Sequence, residues 1–81
     1  MLSNEQKQKV ESLISKRFEA VKKMFEQTTE NISEVQKNID ETKQELITQA
    51  VNFLTDETTS YNELQFDVSE YFDLRFKDLQ L

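Results

Sequence analysis

The chain contains no glycine, proline, cysteine, histidine or tryptophan in its 81 residues. Each absence removes a class of structure or chemistry. Without glycine and proline there is no easy tight turn, no ready left-handed helix stop and no glycine-rich loop to cradle a phosphate. Without cysteine there are no disulfides and no thiolate metal sites, and without histidine the commonest metal ligand and general base are gone. No apolar run approaches the ~18 residues that span a bilayer. The stretch Met1 to Val10 is polar and does not read as a signal peptide, so cytoplasmic or intra-virion residence is expected.

What is present is helical in character. Hydrophobic residues make up 36% of the chain and charged residues 32%, a balance typical of long exposed helices and coiled coils. Ser3-Asn4-Glu5-Gln6 fits a capping box, and Glu5/Lys9 and Glu19/Lys23 are acid–base pairs at helical spacing. Apolar residues then fall into heptads. With Phe18 as an a position, the a positions are Phe18, Phe25, Ile32, Ile39, Leu46 and Phe53. The d positions are Ile14, Val21, Thr28, Val35, Thr42 and Gln49. An unbroken pattern of this length predicts a coiled-coil seam. Thr28, Thr42 and Gln49 read either as polar core positions that tune register or oligomer state or as a loose, partly solvated seam, and the mildly polar, β-branched character of Thr favours the second. Val10, Leu13 and Met24 widen the stripe early, and Ile47, Ala50, Val51 and Leu54 widen it late, which points to more than one neighbouring helix.

Two places invite a break. Asn31-Ile32-Ser33-Glu34 has the letters of a second capping box, but the heptad phase runs straight through it and favours continuity. Thr55 to Ser60 is the stronger break, because it is wholly polar, ends in the capping box Ser60-Tyr61-Asn62-Glu63, and coincides with loss of heptad phase. Beyond it, Tyr61, Leu64, Val68, Tyr71, Phe72, Phe76 and Leu79 share an arc of about 140° on a helix, with Phe66, Leu74 and Leu81 outside it. Leu64 to Ser69 and Phe72 to Lys77 also alternate as strands would, but Glu70-Tyr71 makes a poor hairpin turn, so helix is preferred.

The predicted fold is therefore all-α and a single domain. It comprises a long coiled-coil helix from about residue 4 to 55, a polar break over 55–60 and a shorter amphipathic helix from about 60 to 80. An antiparallel coiled coil or helical bundle, completed by oligomerisation, fits a chain of this size. Charge supports that arrangement. Net charge is −6, and it falls along the chain: residues 1–27 carry six bases and four acids, residues 28–53 two and five, residues 54–81 two and seven. A parallel in-register oligomer would set the acidic end against itself, whereas an antiparallel pair or a bundle with first and last segments adjacent sets opposite charges together.

Catalytic chemistry lacks its parts, so no enzyme, cofactor or metal site is expected. Neighbouring acids such as Asp40/Glu41 and Asp56/Glu57 point to different sides of a helix and read as solvated charge. Lys16, Arg17, Lys22 and Lys23 form a small basic cluster on an acidic chain, which argues against direct nucleic-acid binding and for pairing with the acidic third. Tyr61-Asn62-Glu63-Leu64, six residues, then Tyr71-Phe72-Asp73-Leu74 resembles the immunoreceptor tyrosine-based activation motif, which implies paired phosphotyrosine sites for tandem SH2 domains. Tyr and Leu three apart on one helix face give the same letters through core packing alone.

The expected function is a non-enzymatic oligomerisation, scaffold or protein–protein interaction module. Its homo-oligomer interface would be Ile14, Phe18, Val21, Phe25, Ile32, Val35, Ile39, Leu46 and Phe53. Docking, to the seam or to another protein, would use Tyr61, Leu64, Phe66, Val68, Tyr71, Phe72 and Phe76. The alternative is a small acidic regulator or inhibitor, a DNA mimic in one form. It would bind a basic protein through the exposed aromatics and the stripe Asp56, Glu63, Asp67, Glu70 and Asp78, which spans about 80° on a helix.

Overall fold

The structure, a computed structural model, describes residues 1–28, 31–55 and 60–79. It contains three α-helices, α1 (Asn4–Gln27), α2 (Ile32–Leu54) and α3 (Tyr61–Arg75), followed by a short 3-10 helix, Lys77–Leu79. All-α helical-bundle architecture is as expected. No strand occurs among the described residues, so the alternating reading of the last segment gives way to helix.

Serine side chains cap the starts of α1 and α3. Ser3 Oγ accepts from the Gln6 amide at 3.1 Å and the Ser3 amide donates to Gln6 Oε1 at 2.9 Å, a complete capping box that satisfies two otherwise orphaned donors. Ser60 Oγ accepts from the Glu63 amide at 3.3 Å at the start of α3. At the end of α1 the Thr28 hydroxyl donates to the Met24 carbonyl at 2.7 Å.

The single long helix expected to residue 55 is instead two helices. Asn31 has φ 55° and ψ 44°, the left-handed region, and makes no side-chain cap bond, so the capping-box letters there do not act as one. Asn is among the few residues other than Gly that occupy this region at modest cost. Heptad phase reports which face of a segment is apolar. It does not report whether the backbone continues, and here α1 and α2 fold back so that one half of the stripe buries against the other.

The bundle runs up, down, up. Arg17 of α1 meets Glu45 of α2, consistent with an antiparallel pair joined near Asn31. Along α1 and α3, Met1 meets Asp67, Glu11 meets Tyr71 and Arg75, and Phe18 meets Phe76, so these two helices run parallel. The first and last segments are thus adjacent, as the charge gradient favoured. Ile47, Ala50, Val51 and Leu54 of α2 are all buried, which is the wider stripe of a helix packed on two neighbours. Leu64, Val68, Phe72, Phe76 and Leu79 close the core from the third segment. Phe76 meets Phe18 edge-on at 5.1 Å between centroids and lies stacked on Phe72 at 5.8 Å.

Length mismatch shapes one end. At ~1.5 Å per residue, α1 extends roughly 36 Å and α3 only about 22 Å. Phe76 reaches the level of Phe18, while Phe25 and Val35 lie about two turns nearer the Asn31 reversal. The α1–α2 hairpin therefore projects beyond the described part of the third segment.

Candidate protein-binding face

The structure distributes the expected interface residues over three environments. Ile14, Phe18, Val21, Ile39 and Leu46 are buried within this one chain. Phe25 and Val35 are half-buried against the core. Ile32 and Phe53, both a positions, are 46% and 52% exposed. A straight heptad assigns them the same environment as Ile39. Ile32 sits at the Asn31 reversal, where no third helix covers it among the described residues, whereas Phe53 lies at the edge of the α2 face whose Ala50, Val51 and Leu54 are buried.

The aromatic third segment divides the same way. Leu64, Val68, Phe72 and Phe76 are core residues, so the docking expected of them is to the seam of their own chain. Tyr71 is half-buried and hydrogen-bonded to Glu11. Tyr61 and Phe66 remain exposed, Phe66 at 67%, and Leu74, two turns beyond Phe66, is exposed at 70%. Core packing accounts for one member of each tyrosine motif: Leu64 is buried and Tyr71 is engaged with Glu11, while Tyr61 and Leu74 are exposed.

The acidic stripe lies with the exposed apolar residues. At 100° per residue, Phe66, Glu70, Glu63, Leu74 and Asp67 fall within an arc of about 100° on the outer face of α3. Glu63, Glu70 and Asp78 are exposed, Asp67 is half-buried, and Asp56 lies outside the described residues. Asp67 also accepts from the Met1 ammonium at 2.9 Å. Met1, Asn62, Glu63, Phe66 and Asp67 line one shallow depression, and Met1, Leu2, Lys7, Asp67, Glu70, Tyr71 and Leu74 line its neighbour. The two share Met1 and Asp67, so they form one continuous trough along the α1–α3 edge. Lys7 is the one basic side chain lining it.

Beneath this face sits a polar clamp. The Arg75 Nε and Nη2 donate to the two oxygens of Glu11 at 2.6 and 2.9 Å, and Tyr71 donates its hydroxyl to the same carboxylate. The guanidinium lies 4.1 Å from the centroid of the Phe18 ring. Burial pushes the Glu11 pKa up, but the hydrogen bonds from Arg75 and Tyr71 and the Arg75 charge outweigh it and hold the carboxyl below its ordinary value. Burial, then the hydrogen bond to Glu11 and its charge, push the Tyr71 phenol up to about 12.

Each seam of the bundle carries an ion pair. Arg17 grips Glu45 with two bonds of 3.0 Å across α1–α2, Lys43 reaches Asp73 at 2.6 Å across α2–α3, and Arg75 holds Glu11 across α1–α3. Lys43 is a buried residue whose ammonium finds Asp73, itself exposed, at the surface. Glu11, Lys43, Asp73 and Arg75 were not legible as a set. Their partners lie 30 to 64 positions away, and only the charge gradient hinted that such pairs would form.

No group of three or more potential metal ligands occurs among the described residues, and no helix there is long and apolar enough to cross a membrane. No known protein family, curated protein or solved structure matches this chain.

Proposed function

We propose that this chain is a small, non-catalytic, acidic protein-binding module that docks a basic partner on the outer face of α3. The carrying observation is the coincidence of Phe66 and Leu74, exposed at 67% and 70%, with Glu63, Asp67 and Glu70 on one face. Two large apolar side chains supply anchors that gain from being covered, about 1.5–3 kcal/mol each if fully buried. The surrounding carboxylates select bases on the partner and steer its approach more than they add affinity. The natural fit is an amphipathic helix with apolar residues at helical spacing and Lys or Arg on its flanks, laid in the trough between α1 and α3.

This reading differs from the oligomer module expected of the heptads because most heptad residues are already covered by their own chain. A synthetic amphipathic peptide with a leucine stripe and lysine flanks, and its glutamate-flanked counterpart, test it by fluorescence anisotropy. The lysine peptide should bind, with affinity falling about tenfold or more from 0.05 to 0.5 M salt as screening shortens the reach of the charges. The glutamate peptide should not bind. Phe66→Ser with Leu74→Ser should abolish binding while leaving helicity intact. Equal binding of both peptides, or binding indifferent to the double substitution, would rule the reading out.

A further inference from the structure

The second uncovered apolar surface lies at the hairpin end, which the described part of the third segment does not reach. Phe25 and Thr28 of the first arm and Ile32 and Val35 of the second line a cavity of about 160 Å³ there. Ile32 is 46% exposed. These four lining residues are consecutive a and d positions of the heptad pattern. Further down the hairpin the same positions, Phe18, Val21 and Ile39, are buried. At this end the pattern continues and, among the described residues, its cover does not.

Charge identifies the occupant. Residues 21–37 carry three bases, Lys22, Lys23 and Lys37, and three acids, Glu26, Glu30 and Glu34, so this end is neutral on a chain of net charge −6. By contrast α3 carries four acids and one base. Two copies brought together through α3 would oppose like charges. Two copies brought together through the hairpin end would not, and bases and acids are available on each side of the contact. We infer that the cavity lined by Phe25, Thr28, Ile32 and Val35 is an isologous self-association surface, closed by the same four residues of a second copy of this chain. A twofold contact places identical patches face to face, which requires self-complementarity, and a neutral apolar patch with mixed-sign neighbours meets that condition. Two hairpin ends joined this way form a four-helix layer that extends the heptad core across the axis.

Sedimentation of the full chain from about 5 to 500 µM tests this. The expected result is a reversible shift from the 9.6 kDa monomer to twice that mass. Because the contact is neutral, its dissociation constant should change less than about threefold between 0.05 and 0.5 M salt. Ile32→Glu should weaken the dimer at least about tenfold and leave the helical signal unchanged, since Ile32 is on the surface of the monomer. Phe66→Ser should leave the dimer intact, which keeps this inference separate from the α3 reading. The absence of cysteine gives a second measurement. Mild oxidation of Ile32→Cys should trap a covalent dimer much faster than oxidation of Leu74→Cys. A monomer at every concentration overturns the inference. So does a dimer unaffected by Ile32→Glu, or equal cross-linking at the two cysteine positions.

Discussion

Tyr71 donates its hydroxyl to Glu11, 60 positions earlier in the chain, and Arg75 one turn further on grips the same carboxylate through both oxygens. One acid on α1 is thereby held by two donors on α3, and the guanidinium of Arg75 covers Phe18. The clamp lies between the core below and the acidic, apolar face above. It ties α3, which carries Phe66 and Leu74, to α1.

The clamp should make stability depend on pH at both extremes. Tyr71 has a folded pKa raised to about 12, so the neutral phenol is favoured by folding. Its contribution is fully present below the unfolded value near 10 and is lost as pH rises toward 12. After allowance for solvent screening the effect is on the order of 1 kcal/mol. Glu11 has a lowered folded pKa, so its contribution is present above the ordinary carboxyl value and is lost as pH falls through the folded one. Urea melts should show the wild-type advantage over Tyr71→Phe shrinking above about pH 10. The advantage over Glu11→Gln should shrink below about pH 4.

Arg75 should not be replaceable by Lys. Lys carries the charge but cannot make two parallel bonds to Glu11 or lie flat over Phe18. A double-mutant cycle on Glu11→Ala and Arg75→Ala should return a coupling of about 1 kcal/mol, because both side chains are about one-third exposed. Arg75→Lys should recover less than half of it. A coupling indistinguishable from zero would mean the pair is incidental.

The reversal at Asn31 has a signature of its own. In a continuous helix, Asn31→Gly would destabilise by a few tenths of a kcal/mol. At φ 55° the same change removes a Cβ penalty and should be neutral or stabilising, whereas Asn31→Val should cost about 1–2 kcal/mol. Thermal melts of the two variants, read by circular dichroism, separate the two backbones.

Heptad position and burial make opposite forecasts for two phenylalanines. Phe53 is an a position but is 52% exposed, so Phe53→Ala should cost under about 0.5 kcal/mol. Phe72 lies outside the heptad seam and is fully buried against Phe76, so Phe72→Ala should cost about 3–5 kcal/mol. A domain of this length holds about 4–12 kcal/mol in all, so Phe72→Ala should leave little margin. Chemical denaturation of both variants settles the ranking.

Much of the fold was legible along the chain. Ser3 and Ser60 start helices because a hydroxyl before a run of good helix formers has an amide to accept from, a relation that spans only three residues. The stripe over Tyr61, Leu64, Val68, Tyr71, Phe72, Phe76 and Leu79 marked the buried face of the last segment except at Tyr61, which is exposed, and at half-buried Tyr71, and it left Phe66 and Leu74 outside, as found. The candidate face was half legible. Its acids were identified as a stripe and Phe66 as exposed, but Leu64, Val68, Phe72 and Phe76 were grouped with Phe66 because composition alone cannot separate a core aromatic from a docking one.

Local sequence therefore dictated the helices, their buried faces and the charge gradient, because caps, periodicity and charge act over one to a few turns. Tertiary structure alone decided that the seam folds on itself at Asn31, that Glu11 meets Tyr71 and Arg75, and that Phe25 and Ile32 escape the cover given to Phe18 and Ile39. Those outcomes depend on where one left-handed residue reverses the chain and where a short third helix stops. With no glycine or proline to mark the reversal, the heptad phase passes through it unchanged.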